Sequence, residues 1–338
     1  MPPVLLTILG FGACSALIIF SGARLSKYGD IIADLTGMGK AWLGLILMAS
    51  ITSLPELVTG ISAITIIDTP DIAVGDIMGS CVFNLLILAI LDYFVPGKPL
   101  SSIVTKGHVM AGFLGIFLLT LSVAAIVFGQ IFPVIGWFSS VSVLMIVLYL
   151  IAIRIIFKTE RKNPPVSATS APTLVHETEK DIPLKVAVQR YVLFACLVVS
   201  AAIALPFFAD HLAEQSGMNK SFVGTLLVAA TTSLPELAVS VAAVRMGSVD
   251  IAVGNLLGSN IFNMLILAFD DILYTKGPLL SNVNPDHALS GLTALLMTAV
   301  AGIGIVYSTP HKRFALGADA VVLIILYVML IVALYNMG

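Results

Sequence analysis

Ten stretches of the chain, roughly 4–22, 41–67, 70–95, 106–129, 131–157, 186–208, 221–246, 249–273, 286–308 and 314–337, each run to about twenty or more mostly apolar residues. That is the length a helix needs to cross the hydrocarbon core of a bilayer. In lipid every backbone polar group must find a partner inside its own helix or around a closed barrel. The period-two alternation of a barrel strand is absent from these stretches. The expected fold is an all-α polytopic membrane protein with ten transmembrane helices. Only 11% of the residues are charged, against about 25% in soluble domains. Too few charges remain to cover a soluble enzyme, a nucleic-acid binder or a disordered scaffold, and 17 basic against 19 acidic residues give no partner signal. The first stretch has neither a basic leader nor a convincing cleavage site, so it reads as a span and not as a cleaved signal.

Basic residues set orientation, because cytoplasmic loops are enriched in Lys and Arg. With the N-terminus outside, the cytoplasmic side receives Arg24, Lys27, Lys40, Lys98, Lys106, Arg154, Lys158, Arg161, Lys162, Lys180, Lys185, Arg190, Arg245, Lys312 and Arg313. The outside receives Lys220 and Lys276. Fifteen against two places both termini outside a plasma (inner) membrane and supports ten spans, since a missed span would scramble the sorting. Residues 158–184, rich in Pro, Ser, Thr and charge, read as a flexible cytoplasmic linker between a first unit, 1–157, and a second, 185–338. Cys14, Cys81 and Cys196 lie inside apolar stretches and no CxxC occurs, so neither a disulfide framework nor a zinc site is expected.

The two units repeat one another. Residues 71–90, DIAVGDIMGSCVFNLLILAI, match 250–269, DIAVGNLLGSNIFNMLILAF, at thirteen of twenty positions. TSLPEL at 52–57 recurs at 232–237, and TGMGKAW at 36–42 echoes SGMNKSF at 216–222. Five spans per unit is an odd number, so the second copy enters the membrane from the opposite side. Such inverted repeats are the architecture of many secondary transporters, with the site at the midplane between them.

Two carboxylates stand deep in apolar helices, Glu56 and Glu236, at equivalent positions. An acid at the bilayer centre costs about 2.5–3.5 kcal/mol even on lenient scales, and no Lys or Arg stands nearby in either span. The partner is most simply a bound cation or a proton. Each follows a proline, Pro55 or Pro235, which removes one helical N–H and clashes four residues back, opening carbonyls around Thr52 and Thr232. Carboxylate plus carbonyl oxygen suits a hard cation such as calcium, which takes six to eight oxygens at about 2.3–2.6 Å. Ser80 and Asn84 share one helix face, as do Ser259 and Asn263, and their oxygens could complete the shell. Gly75, Gly79, Gly254 and Gly258 form small-xxx-small patterns for close helix packing.

Asp76 breaks the symmetry, its counterpart being Asn255. It is expected in an outer vestibule attracting cations, with Asp68, Asp71, Asp270 and Asp271 as caps on the same side. There is no GxxxxGK[ST], hence no ATP site, and no HExxH; His176-Glu177 lies in the linker. No cofactor, nucleic acid or protein partner is implied beyond the lipid bilayer, and an ion gradient is the energy source.

The duplicated TSLPEL, followed by GDIMGSCVFN and by GNLLGSNIFN, resembles the calcium/cation antiporter superfamily, specifically the short prokaryotic sodium/calcium exchangers. The resemblance extends to the ten-span count and covers nearly the whole chain. It implies a core of helices two, three, seven and eight with four cation sites in a diamond, across which helices one and six slide. It implies Glu56 and Glu236 as central ligands of Ca²⁺ and Na⁺, with Thr52 and Thr232 giving carbonyls and hydroxyls. Ala49 and Ala229 would give carbonyls to sodium sites, Ser53 and Ser233 would lie in the broken turns, and Ser80, Asn84, Ser259 and Asn263 would complete the shell. Exchangers of this type commonly carry Asp at one of the positions held here by Asn84 and Asn263. Two formal negative charges then remain in the site, a count that balances one Ca²⁺ and leaves H⁺ coupling open beside Na⁺. Cys81 opposite Asn260 is a second departure. The expected function is Ca²⁺ export against Na⁺ by alternating access; a proton-coupled exchanger and a cation channel are the alternatives.

Overall fold

A computed structural model describes residues 4–162, 182–216, 229–307, 311–312 and 315–337. Most of the expected linker, residues 221–228 of the expected seventh span, and Lys220 lie outside the described residues. Among the described residues, eight helices are long and apolar enough to cross a membrane.

Helix α1, Val4–Thr36, has 33 residues, about 50 Å at 1.5 Å per residue. It therefore extends well past the expected 4–22 and exceeds the bilayer core. The second span is broken: α2, Lys40–Trp42, continues through a π-helical stretch, Leu43–Met48, into α3, Ala49–Thr52, and after Ser53 into α4, Leu54–Ser62. Next come α5, Pro70–Tyr93, and α6, Gly107–Phe128. The fifth expected span, 131–157, is corrected at its start. Val134–Ile135 and Phe138–Ser139 pair as an antiparallel hairpin, β1 and β2, and helix α7, Ser140–Lys162, begins only afterwards. Pro133 cannot continue a helix, and Gly136 takes φ +67 in the turn, so this apolar run cannot be helical throughout.

The second unit repeats the plan. Its helices are α8, Leu184–Ser216; α9, Leu234–Arg245, preceded by a helical turn at 229–232; α10, Val249–Leu273; α11, His287–Val306; and α12, Ala318–Met337. Helices α1 and α8 pack along one another and against α9, while α5 and α10 are buried on nearly all sides at the centre. With lipid as the outer solvent, close packing and hydrogen bonds hold these helices together.

Symmetric clamps tie loops to helix ends. At one face of the bundle Asp71 Oδ1 accepts from Asn284 N (2.7 Å) and meets His287 Nε2 at 3.0 Å. At the other, Asp250 Oδ1 accepts from Thr105 N (2.8 Å) and meets His108 Nε2 at 3.0 Å. Asp92 Oδ1 and Asp271 Oδ1 each accept one loop N–H at 2.6 Å, from Leu100 and Leu279. Asp271 Oδ2 also accepts from Ser139 N and Ser142 Oγ, which anchors the hairpin together with Trp137 Nε1 donating to Ile272 O at 2.8 Å. Asp68 pairs with Lys276 on this hairpin face. Lys40 reaches Asp30 at 2.6 Å and Lys312 reaches Asp92 at 3.0 Å on the opposite, linker face. These pairs join loops that the charge sorting puts on one side.

Asp271, expected as an exposed cap, is buried. Asp271→Ala would strand Leu279 N and Ser139 N, at about 1–3 kcal/mol for each buried group left without a partner. A lower melting temperature in detergent is the expected result, and an unchanged one would refute this role.

Candidate functional site

The site is built around two interruptions. Ser53 (φ −89, ψ 8) and Ser233 (φ −83, ψ 7) leave helical geometry at the same point of each repeat. Pro55 and Pro235 follow in the first turn of α4 and α9, where a missing N–H is tolerated. Glu56 and Glu236 then occupy the opening turns of these helices, whose N-terminal N–H groups favour negative charge.

Each glutamate is held by both repeats. Glu56 Oε1 accepts from Ser80 Oγ of its own repeat at 3.3 Å and from Ser233 Oγ of the other at 3.3 Å. Glu236 Oε1 accepts from Ser259 Oγ at 3.2 Å and from Ser53 Oγ at 3.1 Å. The serines in the two broken turns thus cross, each reaching the opposite acid. Ala49 O receives Ser53 N (3.0 Å) and Thr52 Oγ1 (3.4 Å), and Ala229 O receives Ser233 N (3.1 Å) and Thr232 Oγ1 (3.2 Å). The expected site residues Thr52, Ser53, Glu56, Ser80, Asn84 and their counterparts Thr232, Ser233, Glu236, Ser259 and Asn263 are all buried, and hydrogen bonds link most of them.

The asparagines are aimed by neighbours that sequence reasoning left without a role. Asn84 Nδ2 donates to Asn260 Oδ1 at 3.0 Å, and Asn260 Nδ2 donates to Cys81 O at 3.1 Å. Asn263 Nδ2 meets Cys81 Sγ at 3.7 Å. The residue after each repeated serine, Cys81 after Ser80 and Asn260 after Ser259, therefore engages the asparagine of the other repeat. With their amide nitrogens so engaged, Asn84 Oδ1 and Asn263 Oδ1 stay buried without a donor, as do Glu56 Oε2 and Glu236 Oε2. Four orphans in one network, all oxygen acceptors, form a set that a hard cation satisfies and that neutral packing does not.

Asp76 is not in a vestibule. It is 2% exposed and accepts from Thr232 Oγ1 at 3.0 Å, just as Asn255 Oδ1 accepts from Thr52 Oγ1 at 3.2 Å. A vestibule position follows from helix rise alone, but α5 is packed all round, so this turn faces α9's broken end rather than water. The negative charge expected at position 84 or 263 is instead carried two helical turns before Asn84 on α5, raising the buried carboxylates of this network to three. Asp270, expected as an exposed cap, is buried as well. Among the described residues no group of three or more His, Cys, Asp and Glu side chains is placed to hold a metal ion by itself; hydroxyl and amide oxygens make up most of the donor set.

The sodium/calcium exchanger protein family profile matches residues 6–158 and 186–336. The chain belongs to this family. It is a polytopic membrane transporter and not an enzyme. The inner membrane protein YrbG of Escherichia coli (strain K12) is 29% identical over 266 residues, covering 77% of this chain and 78% of YrbG. The sodium/calcium exchanger MaX1 of Methanosarcina acetivorans is 42% identical over 88 residues, 24% of this chain and 25% of MaX1. A structure of the sodium-calcium exchanger NCX_Mj, soaked with 10 mM Na⁺ and zero Ca²⁺, superposes with a TM-score of 0.74 at 21% identity, covering 98% of this chain and all of that one. The fold is accordingly two inverted five-helix repeats.

Proposed function

We propose that this exchanger-family protein is a secondary active antiporter that moves Ca²⁺ out against Na⁺, with the four orphaned buried oxygens of Glu56, Glu236, Asn84 and Asn263 as the observation that carries the reading. Glu56 and Glu236 bind the cation centrally, with Ser53, Ser233, Ser80 and Ser259 positioning the carboxylates. Thr52, Thr232, Ala49 and Ala229 supply flanking hydroxyl and carbonyl oxygens once the local helical bonds relax. Two carboxylates neutralise one Ca²⁺, and the third, Asp76, supports occupancy by more than two monovalent ions. Helices α1 and α8, packed on one another outside the core, are suited to move as a unit across it and expose the site alternately. The basic-residue sorting supports a plasma (inner) membrane location with both termini outside and the linker cytoplasmic.

The test is ⁴⁵Ca²⁺ flux in proteoliposomes under imposed gradients. An Na⁺ gradient is expected to drive uphill Ca²⁺ movement. Drive by ΔpH with no response to Na⁺ would replace sodium with the proton as the coupling ion. Flux that needs no counter-ion would make the protein a channel.

A further inference from the structure

The two halves of the core are not equivalent on their two sides, and the difference lies in three positions. Toward the linker face, Thr52 Oγ1 donates to Asn255 Oδ1 and Asn255 Nδ2 donates to Ser240 Oγ at 3.1 Å. This chain is neutral, and the next equivalent position on α5 is the apolar Leu91. Toward the hairpin face the same three positions are Asp76, Gly60 and Asp270. Thr232 Oγ1 satisfies Asp76 Oδ1, but Asp76 Oδ2 has no donor. Gly60 offers no hydroxyl; a Cβ there would collide with Asp270 Oδ2. Asp270 is 0% exposed, and neither of its carboxylate oxygens has a hydrogen-bond partner.

We propose that Asp270, seated against Gly60 and facing Asp76, forms a second cation station on the hairpin side of the Glu56/Glu236 centre, through which a metal cation passes to or from that face only. Gly60 is one helical turn beyond Glu56, about 6 Å along the axis at 1.5 Å per residue. Asp76 lies within electrostatic reach of Asp270 and of both glutamates, so the four carboxylates act on one another's charge. Three buried oxygens that can only accept, with no donor supplied, are the complement of a cation. A structural explanation would require donors, as the Asp271 and Asp92 clamps next in sequence have. Among the described residues nothing equivalent stands on the linker side, where a neutral hydrogen-bonded chain links Thr52, Asn255 and Ser240. Two acids in a low-dielectric wall raise the local cation concentration, so this station lowers the Ca²⁺ level needed to load the centre from one face.

The inference rests on the antiporter reading, and oriented vesicles separate the two. With ⁴⁵Ca²⁺ offered at each face in turn, Asp270→Asn is expected to raise the half-saturating Ca²⁺ concentration at the hairpin face about tenfold, as removal of one attracting charge allows. The value at the linker face and the maximal rate are expected to stay unchanged. Gly60→Ala, which displaces the Asp270 carboxylate without removing it, is expected to give the same one-sided shift. Equal shifts at both faces, or none, in a wild-type background that transports Ca²⁺ would overturn the station alone. A wild-type protein that moves no Ca²⁺ under any gradient would remove the antiporter reading, and the station's cargo with it. If neither variant folds, the carboxylate is structural and the station is overturned.

Discussion

Glu56→Gln is expected to abolish ⁴⁵Ca²⁺ exchange and leave a folded protein, and Glu236→Gln to do the same. The amide keeps the shape of the carboxyl, and its oxygen can still accept from Ser80 and Ser233, or from Ser259 and Ser53. What changes is the outward-facing atom. An acceptor with negative charge, now without a donor, becomes an NH₂ that repels a cation. Removing one member of a buried charge pair costs about 3–5 kcal/mol, or a loss of Ca²⁺ affinity beyond about a hundredfold. Folding is expected to be unharmed or improved, because an uncompensated buried charge disappears when no ion is bound. Flux and thermal melting measured on the same preparation separate these effects. Wild-type flux in either variant would sink the site assignment.

The second large effect concerns backbone contact. Along one seam α10 lies against the 40–52 span with no side chain between them. A Cβ on Gly254 would stand 2.6 Å from Ala41 O, one on Gly258 would collide with the Leu45 carbonyl, and one on Gly44 with the Ile251 carbonyl. Carbonyls in a helix cannot rotate away, so the helices would have to separate. Gly258→Ala is expected to cost more than the usual 1–3 kcal/mol of an overpacked core and to yield little monodisperse protein on gel filtration. Gly12→Ala, with open space around its Cβ position, is the control and should behave as wild type. A well-folded Gly258→Ala protein would show that this seam yields more easily than its geometry allows.

Much of this was legible in the chain. Long apolar runs with a duplicated, odd-numbered pattern dictate an inverted pair of helical units. Pro55-Glu56 and Pro235-Glu236 announce themselves because a charge and a helix breaker in lipid each demand compensation. The hairpin at 134–139 was hidden because apolar composition alone does not distinguish a span from an apolar surface loop; Pro133 and Gly136 were the available signals. Asp270 and Asp271 look alike in sequence and sit at a helix end, where a solvated cap is the ordinary outcome. Their burial depends on Gly60 and on Ser139 and Ser142, distant in the chain. The same holds for Asn260, whose contact with Asn84 crosses between repeats and leaves no local trace. Asp76 reads as a vestibule acid in sequence because a position along a helix axis says nothing about which neighbour covers that turn, and the turn is buried.

The crossed serines have a consequence for ancestry. Ser53 belongs to one unit and grips the acid of the other, and Ser233 returns the grip. A single five-helix polypeptide would hold its glutamate by one serine and leave the other contact empty. Two copies of it, inserted in opposite senses and paired, would restore both contacts. Fusing such a pair into one gene fixes the antiparallel partnership for good. Only then can the two sides drift apart, as Asp76, Gly60 and Asp270 have done from Asn255, Ser240 and Leu91.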